Sequence, residues 1–189
     1  MPQQPTTIRP GTPADLEPMY QLDRLCFDAP FRFSRAAMRH FASEQGAFTL
    51  VAEFQQNSGA PSIAAPHRDG WDATSPPAGT PSTQAPTLAG FIIIHLEHIH
   101  PRTQAYVVTL DVAPEHRRQG LARRLLEAAE QQSATRQASP MTLHVWTENT
   151  PAINFYERSG YVRTVLHPNM YAPGKDAYGY LKALTNPKP

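Results

Sequence analysis

Residues 110–122 constrain the fold of this chain most strongly, because they read as a strand that turns directly into a helix. Pro114 interrupts strand pairing, and Gly120 permits a backbone conformation that brings the chain close to a ligand. Small and branched apolar residues then recur at helical spacing, at Leu121, Ala122, Leu125, Leu126 and Ala129. The segment predicts a strand–turn–helix unit whose turn is open to a ligand.

The start of this predicted helix is suited to bind an anion. The first turn of a helix leaves N–H groups without partners at the positive end of the helix dipole. Arg117 and Arg118 add two positive charges beside these amides. The segment lacks both the Gly-Lys-Ser/Thr ending of a P-loop and the three glycines of a dinucleotide-binding turn. It therefore predicts a pyrophosphate site of another kind, or else an ordinary connection whose arginines are solvated.

Composition and charge exclude several classes of protein. A chain of 189 residues suits one domain, residues 1–189, with a core of its own. With 17 basic and 16 acidic residues the net charge is +1, so no nucleic-acid partner is expected. The one cysteine, Cys26, cannot form an internal disulfide; it is expected to act as a small core hydrophobe in a reducing, cytoplasmic setting. Neither a signal peptide nor a membrane span is expected.

The periodicity predicts an α/β domain with a mixed central sheet flanked by helices. Thr12 and Ser34 are expected to cap two helices, and the first has an inward face of Leu16, Met19, Tyr20, Leu22 and Leu25. Two later helices are expected over residues 119–135 and 151–159, the second capped by Thr150. Strands are predicted over residues 47–52, 88–96, 104–112, 141–146, 161–166 and 177–184.

Residues 55–87 interrupt this pattern. They are mainly Pro, Ala, Ser, Thr, Gly and Gln, with Ile63 and Trp71 as the large apolar residues. Such a composition predicts a disordered insertion. Because closure entropy grows only logarithmically with length, lengthening a short turn to this span costs about 2 kcal/mol. The insertion therefore need not divide the domain.

A second pattern lies after the predicted strand that ends at residue 146. Asn149, Ala152, Tyr156 and Gly160 follow one another at helical spacing, and Asn149 and Tyr156 are about two turns apart. The Tyr156 hydroxyl is therefore expected to reach back toward the groove at the pyrophosphate turn. The alternative is that Tyr156 packs in the core.

The two patterns resemble those of the GNAT superfamily of N-acyltransferases: Arg117, Gly120 and Ala122 match its acyl-CoA motif, and Asn149 and Tyr156 match its C-terminal motif. The resemblance implies the GNAT fold, acetyl-CoA as co-substrate and no metal. It also implies that Tyr156 protonates the departing CoA thiolate, a role that a neutral tyrosine can perform at pH 7. Implied cofactor-binding residues are Leu110, Val112, Arg117, Arg118, Gln119, Gly120, Leu121, Ala122 and Asn149.

Three shorter matches narrow the resemblance. Tyr-x-x-Thr-Leu at 106–110, Leu-His-Val at 143–145 and Asn-Met-Tyr at 169–171 are similar to the protein N-terminal acetyltransferases, both the bacterial ribosomal-protein enzymes and the eukaryotic Met-class enzyme. The first group has a glutamate base at the position of His144, and the second has a histidine paired with the tyrosine at Tyr106. The resemblance implies that His144 deprotonates the amine through a water held by Tyr106, with Phe31 and Tyr171 on opposite walls of the substrate groove.

The identity of the base stays open at this stage. An imidazole of pKa about 6.5 is matched to an α-amine of pKa about 8. The alternatives are a strand histidine bonded to a carbonyl, Glu148 as the base, or a chain of waters. His95, His98 and His100 suggest a metal site, but no pattern of cysteines or carboxylates completes a ligand set, so none is predicted.

We therefore expect an acetyl-CoA-dependent N-acetyltransferase in which an amine attacks the thioester directly. The favoured acceptor is the α-amine of a protein or peptide N-terminus, and the chain is expected to be a monomer or a weak dimer. A small-molecule amine acetyltransferase is the first alternative. A non-catalytic acyl-CoA-binding domain is the second.

Overall fold

The computed structural model describes residues 6–54 and 87–185, in which seven strands and four α-helices occur. The strands are β1 Thr6–Pro10, β2 Ala47–Phe54, β3 Thr87–Ile99, β4 Arg102–Val112, β5 Ala138–Trp146, β6 Val162–Ala172 and β7 Lys175–Lys182. The helices are α1 Leu16–Cys26, α2 Arg35–Ser43, α3 Leu121–Thr135 and α4 Thr150–Arg158.

All seven strands belong to one mixed sheet in the order β1-β2-β3-β4-β5-β7-β6. Only the central pair of these strands, β4 and β5, is parallel, and α3 connects the two. The predicted α/β fold with a mixed sheet is confirmed.

Two apolar clusters cover the two faces of the sheet. The larger one packs α3 and α4 against one face, with Leu125, Leu126 and Tyr156 among its buried members. The smaller one packs α1 and α2 against the other face through Met19, Leu22 and Met38. Burial of apolar surface on both faces fixes the strands between the two helical layers.

Local sequence signals set the helix ends. The Asp15 carboxylate accepts the Thr12 amide hydrogen at 2.7 Å, and Thr12 caps a 3-10 turn, Pro13–Asp15, that leads into α1. The Ser34 hydroxyl accepts the Ala37 amide hydrogen at 3.1 Å, so the predicted start of α2 is confirmed. The cap of α4 was assigned wrongly: Asn149, not Thr150, accepts the Ala152 amide hydrogen, at 3.2 Å.

Four further details differ from the sequence-based expectation. Leu25 is 67% exposed, because it lies on the solvent side of the last turn of α1. Helix α3 begins at Leu121 rather than at residue 119, since the preceding turn holds left-handed residues. Strand β6 continues past the predicted end at residue 166 to Ala172 and so includes residues 169–171. Strand β1 was not predicted, because its few residues carry only one large apolar side chain, Ile8.

The predicted insertion lies outside the described residues, except for Thr87, which belongs to β3. Phe54 and Thr87 are register partners on the antiparallel strands β2 and β3. The two ends of the segment therefore leave the sheet side by side. None of the helices in residues 6–54 and 87–185 is long and apolar enough to cross a membrane.

Candidate active site

The candidate site lies where the two parallel strands separate. Strands β4 and β5 are paired from Thr103 and Ala138 up to Tyr106 and Thr142, and no further. Beyond this point β4 continues to Val112 and β5 continues to Trp146. The backbone edge of β4 that includes Leu110 and Val112 therefore faces a gap in the sheet. Such a gap can accept an extended ligand as a surrogate strand.

The turn before α3 forms the anion cradle at one end of this gap. Arg118 has φ 60° and Gly120 has φ 79°, so the backbone reverses its hand twice before the helix begins. The Gly120 carbonyl accepts the Arg124 amide hydrogen at 3.1 Å as the first helical bond. The amides of Leu121 and Ala122 therefore have no helical acceptor and point out of the helix start. A Cβ atom added to Gly120 would meet nothing within 4 Å, so the turn is open on its outer side.

Side chains of the turn hold its shape. The Arg117 Nε–H donates to the Val112 carbonyl at 3.0 Å, and the Gln119 amide donates to the Glu115 carbonyl at 3.0 Å. Arg117 and Arg118 are both exposed, but no side-chain hydrogen bond of Arg118 occurs within the described residues. The guanidinium group of Arg117 is thus bonded to β4, whereas that of Arg118 lies at the surface of the cradle.

Tyr156 extends from α4 toward the gap. Its ring packs edge-to-face against Tyr161 at a centroid distance of 5.5 Å. Burial raises the pKa of its hydroxyl above the usual range, and the nearby acidic groups of Tyr171, Asp111 and Tyr106 raise it further. Tyr156 packs in the same apolar cluster as Val107 and Val112 of β4, the strand that borders the gap. The hydroxyl is protonated at neutral pH and can act as a proton donor.

Asn149 has a structural task as the cap of α4, performed by its amide oxygen. Its NH₂ group is left to donate to a ligand that runs along the end of β5. Glu148, the neighbouring residue, is exposed to solvent.

His144 and Tyr106 are brought together directly. The Tyr106 hydroxyl and the His144 Nδ1 atom are 3.1 Å apart. The water that relays a proton from the acceptor amine to His144 stays a prediction. In the tautomer with hydrogen on Nδ1, His144 donates to Tyr106 and keeps the Nε2 lone pair to accept a proton. Burial lowers the pKa of His144, and nearby His167 lowers it further. Burial raises the pKa of Tyr106 to about 12.

Phe31 and Tyr171 form one wall rather than two. Their ring centroids are 5.1 Å apart in an edge-to-face arrangement, and Phe31 also packs on Trp146 at 4.8 Å. The Tyr171 hydroxyl donates to the His144 carbonyl at 3.1 Å. The groove that the sequence suggested between the two rings is therefore filled by the rings themselves. Together with Trp146 they make an aromatic wall beside His144.

The predicted core cysteine lies beside two buried carboxyl groups under β4. Asp111 is fully buried, accepts the Thr109 hydroxyl hydrogen at 2.5 Å, and has a pKa raised to about 8, mainly by burial. Asp23 of α1 accepts the Phe33 amide hydrogen at 2.8 Å, and burial raises its pKa to about 6. Cys26 donates to the Val112 carbonyl at 3.3 Å. These residues join α1 to the strand that precedes the cradle.

The three histidines of β3 and its turn do not converge. His95 contacts the Phe41 carbonyl through Nε2 at 2.8 Å, and His98 contacts the Thr103 hydroxyl at 2.8 Å. Within the part of the chain that the structure describes, no group of three or more histidine, cysteine or acidic side chains could hold a metal ion.

Two residues beside His144 were not predicted from the sequence. His167 of β6 packs edge-to-face on the His144 ring at a centroid distance of 4.5 Å. Glu97 of β3 is close enough to His144 and Tyr106 to affect both pKa values. Both residues come close to His144 because of how the strands pair in the sheet. The spacing of residues along the sequence does not reveal such a contact.

A protein-family model described as the acetyltransferase (GNAT) family matches residues 16–161. Among similar proteins, the N-terminal acetyltransferase A complex catalytic subunit NAA10 of Arabidopsis thaliana is 34% identical over 101 residues, which cover 51% of this chain and 52% of that protein. N-alpha-acetyltransferase 30 of Schizosaccharomyces pombe is 31% identical over 91 residues, which cover 47% of this chain and 61% of that protein. The chain thus matches about half to three fifths of the length of these relatives.

Solved structures show the same fold. The ribosomal-protein-S18-alanine N-acetyltransferase of Escherichia coli superposes with a TM-score of 0.70 at 19% identity, covering 97% of each chain. NAA60 of Arabidopsis thaliana in complex with acetyl-CoA superposes with a TM-score of 0.71 at 20% identity, covering 95% of this chain and 99% of that one. With a family model that spans residues 16–161 and a mixed sheet that opens between β4 and β5, this chain belongs to the GNAT acetyltransferase family.

Proposed function

We propose that this chain transfers the acetyl group of acetyl-CoA to the N-terminal α-amine of a protein or peptide. One observation carries the proposal: the gap between β4 and β5 runs from an anion cradle to a Tyr106–His144 pair, and Tyr156 packs in the same apolar cluster as residues of β4. The N-terminal acetyltransferases among the similar proteins support the choice of acceptor.

The residues around the gap fit acetyl-CoA, which supplies the thioester that the amine attacks. The free amides of Leu121 and Ala122, with the charge of Arg118, suit a pyrophosphate. Open space outside Gly120 leaves room for it. The unpaired edge of β4 and the NH₂ group of Asn149 suit the amide groups of a pantetheine arm.

His144 is suited to remove a proton from the acceptor. Its pKa is lowered, chiefly by burial, so the ring is neutral at pH 7 and can accept a proton. An α-ammonium group has a pKa about 2.5 units below that of a lysine side chain, which makes its deprotonation about 3 kcal/mol easier. A base of this kind therefore favours an N-terminal amine over a lysine.

Tyr156 is suited to protonate the leaving thiolate. Its raised pKa keeps the hydroxyl protonated throughout the neutral range. A positioned general acid contributes about 10²- to 10⁴-fold to the rate.

The test is the pH dependence of kcat/KM with a peptide that has a free α-amine. Wild type should show two limbs. One lies near pH 8 and comes from the amine of the peptide, so it appears with any enzyme. The other lies below about pH 6.5 and comes from His144. His144→Ala should lose the lower limb and about 10² of the rate. His98→Ala, which removes an exposed histidine bonded to Thr103, is the matched control and should keep both. A full-rate His144→Ala enzyme would contradict the base assignment.

A further inference from the structure

The second histidine beside His144 reaches it by an unusual route across the sheet. His144 lies on β5, and its register partner on β7 is Gly179. His167 lies on β6, on the far side of β7, yet its ring contacts His144 at a centroid distance of 4.5 Å. A side chain on the intervening strand would stand between them. The contact therefore depends on what β7 carries at this register.

Gly179 provides the space for this contact. A Cβ atom added there would be 3.3 Å from the His167 Nε2 atom and 2.7 Å from the Thr164 hydroxyl. The first distance is tighter than ordinary van der Waals contact, so even an alanine would press on the His167 ring. The absence of a side chain at Gly179 lets two strands that are not neighbours place their imidazoles edge-to-face.

The charges around His144 affect how readily its ring takes up a proton. The titratable groups that face His144 are Tyr106 from β4, Glu97 from β3, and His167 and Tyr171 from β6. Of these, His167 is the one whose side chain can carry a positive charge. A proton on one imidazole therefore opposes a proton on the other at this separation.

We propose that His144 and His167 form a coupled pair in which a proton on one ring disfavours a proton on the other, and that His167 is a positioning residue which favours the proton-accepting form of His144. The role of the pair in acetyl transfer rests on the proposed function. The coupling itself rests on the contact across Gly179. Proton flow in the step is simple: the ammonium gives one proton to the Nε2 atom of His144.

The test uses two variants of His167, one with a neutral side chain and one with a positive side chain. His167→Gln removes the titratable ring and should raise the midpoint of His144 titration by about 0.5 to 1 pH unit, the effect of a unit charge at about 4.5 Å in a water-like dielectric. His167→Lys keeps a permanent positive charge, so the midpoint should stay at or below that of wild type. His98→Gln is the control and should change nothing. The readout is NMR titration of the His144 ring, assigned by its absence in His144→Ala, together with the lower limb of kcat/KM.

A midpoint raised in His167→Gln but not in His167→Lys would establish the coupling, because lost packing alone cannot produce this difference. An unchanged midpoint in His167→Gln, or an equal upward shift in both variants, would overturn the proposal. NMR titration needs no acceptor and no acetyl-CoA. A shift of the His144 midpoint without any peptide acetylation would therefore reject the proposed function and leave the coupled pair intact.

Discussion

Replacement of Asp111 by asparagine should stabilise the protein at neutral pH. The carboxyl group is fully buried beneath β4, and only its Oδ1 atom has a hydrogen-bond partner, Thr109, within the described residues. Burial raises its pKa to about 8, and nearby Asp23 raises it further while Arg117 opposes the shift. Asparagine has almost the same shape and cannot ionise.

The size of the effect follows from the difference in proton binding between the folded and unfolded states. An unfolded aspartate has a pKa of about 3.9, so it loses its proton far below the folded group. Between these two values, each pH unit favours the unfolded state by about 1.4 kcal/mol. The stability that the protonated Asp111 contributes is therefore complete below about pH 4, is reduced by roughly 4 kcal/mol at pH 7, and is lost by about pH 8.

Urea denaturation of wild type and Asp111→Asn at pH 4.5, 6, 7 and 8.5 measures this difference. The variant should gain about 2 to 4 kcal/mol over wild type at pH 7, and the gain should shrink to near zero at pH 4.5. Asp28→Asn changes an exposed carboxyl group and should leave the pH dependence as it is. If the curves of wild type and Asp111→Asn run parallel across this range, the buried carboxyl group does not ionise as described.

Three further predictions concern the cradle, the proton donor and the segment between β2 and β3. Gly120→Glu should place a carboxylate at the open side of the cradle and abolish CoA binding in calorimetry. The folded control Gly120→Ala should still bind CoA, but more weakly than wild type, because residue 120 has a left-handed φ. Tyr156→Phe should lower kcat by about 10²-fold or more with unchanged CoA affinity, and a preserved rate would leave Tyr156 with a packing role alone. Joining Phe54 to Thr87 by an Asn-Gly turn should hold or raise the melting temperature, since these residues are register partners; a cooperative loss of stability would show that the removed segment packs on the domain.

Local signals in the sequence were sufficient for most of the fold. The Thr12 and Ser34 caps, the apolar spacing of α3 and the strand patterns of β2 to β5 each depend on residues close to one another in the chain. Strand β1 was missed because a short edge strand gains its order from pairing with β2 rather than from its own pattern. The cap of α4 was misassigned by one residue, as expected where Asn and Thr are adjacent candidates.

The residues of the candidate site also fall into two groups, those that could be predicted from the sequence and those that depend on the tertiary fold. The cradle at Gly120 and the pairing of Tyr106 with His144 could be inferred, because the first is a local turn and the second follows from two adjacent strands. The contact of His167 with His144 depends on the order β5-β7-β6 and on a glycine in the middle strand. The closure of Phe31 onto Tyr171 depends on how the α1–α2 connection folds over the sheet. Neither can be deduced from spacing along one chain.

Mass mapping of a matched pair of peptides tests the central proposal most directly. Both peptides carry one internal lysine; one has a free N-terminus and the other an acetylated one, and each is incubated with the protein and acetyl-CoA. We expect one added acetyl group on the α-amine of the free peptide, none on the blocked peptide, and loss of the product in Gly120→Glu. Acetylation of lysine in both peptides at equal rates, or of small amines alone, would contradict an N-terminal acceptor.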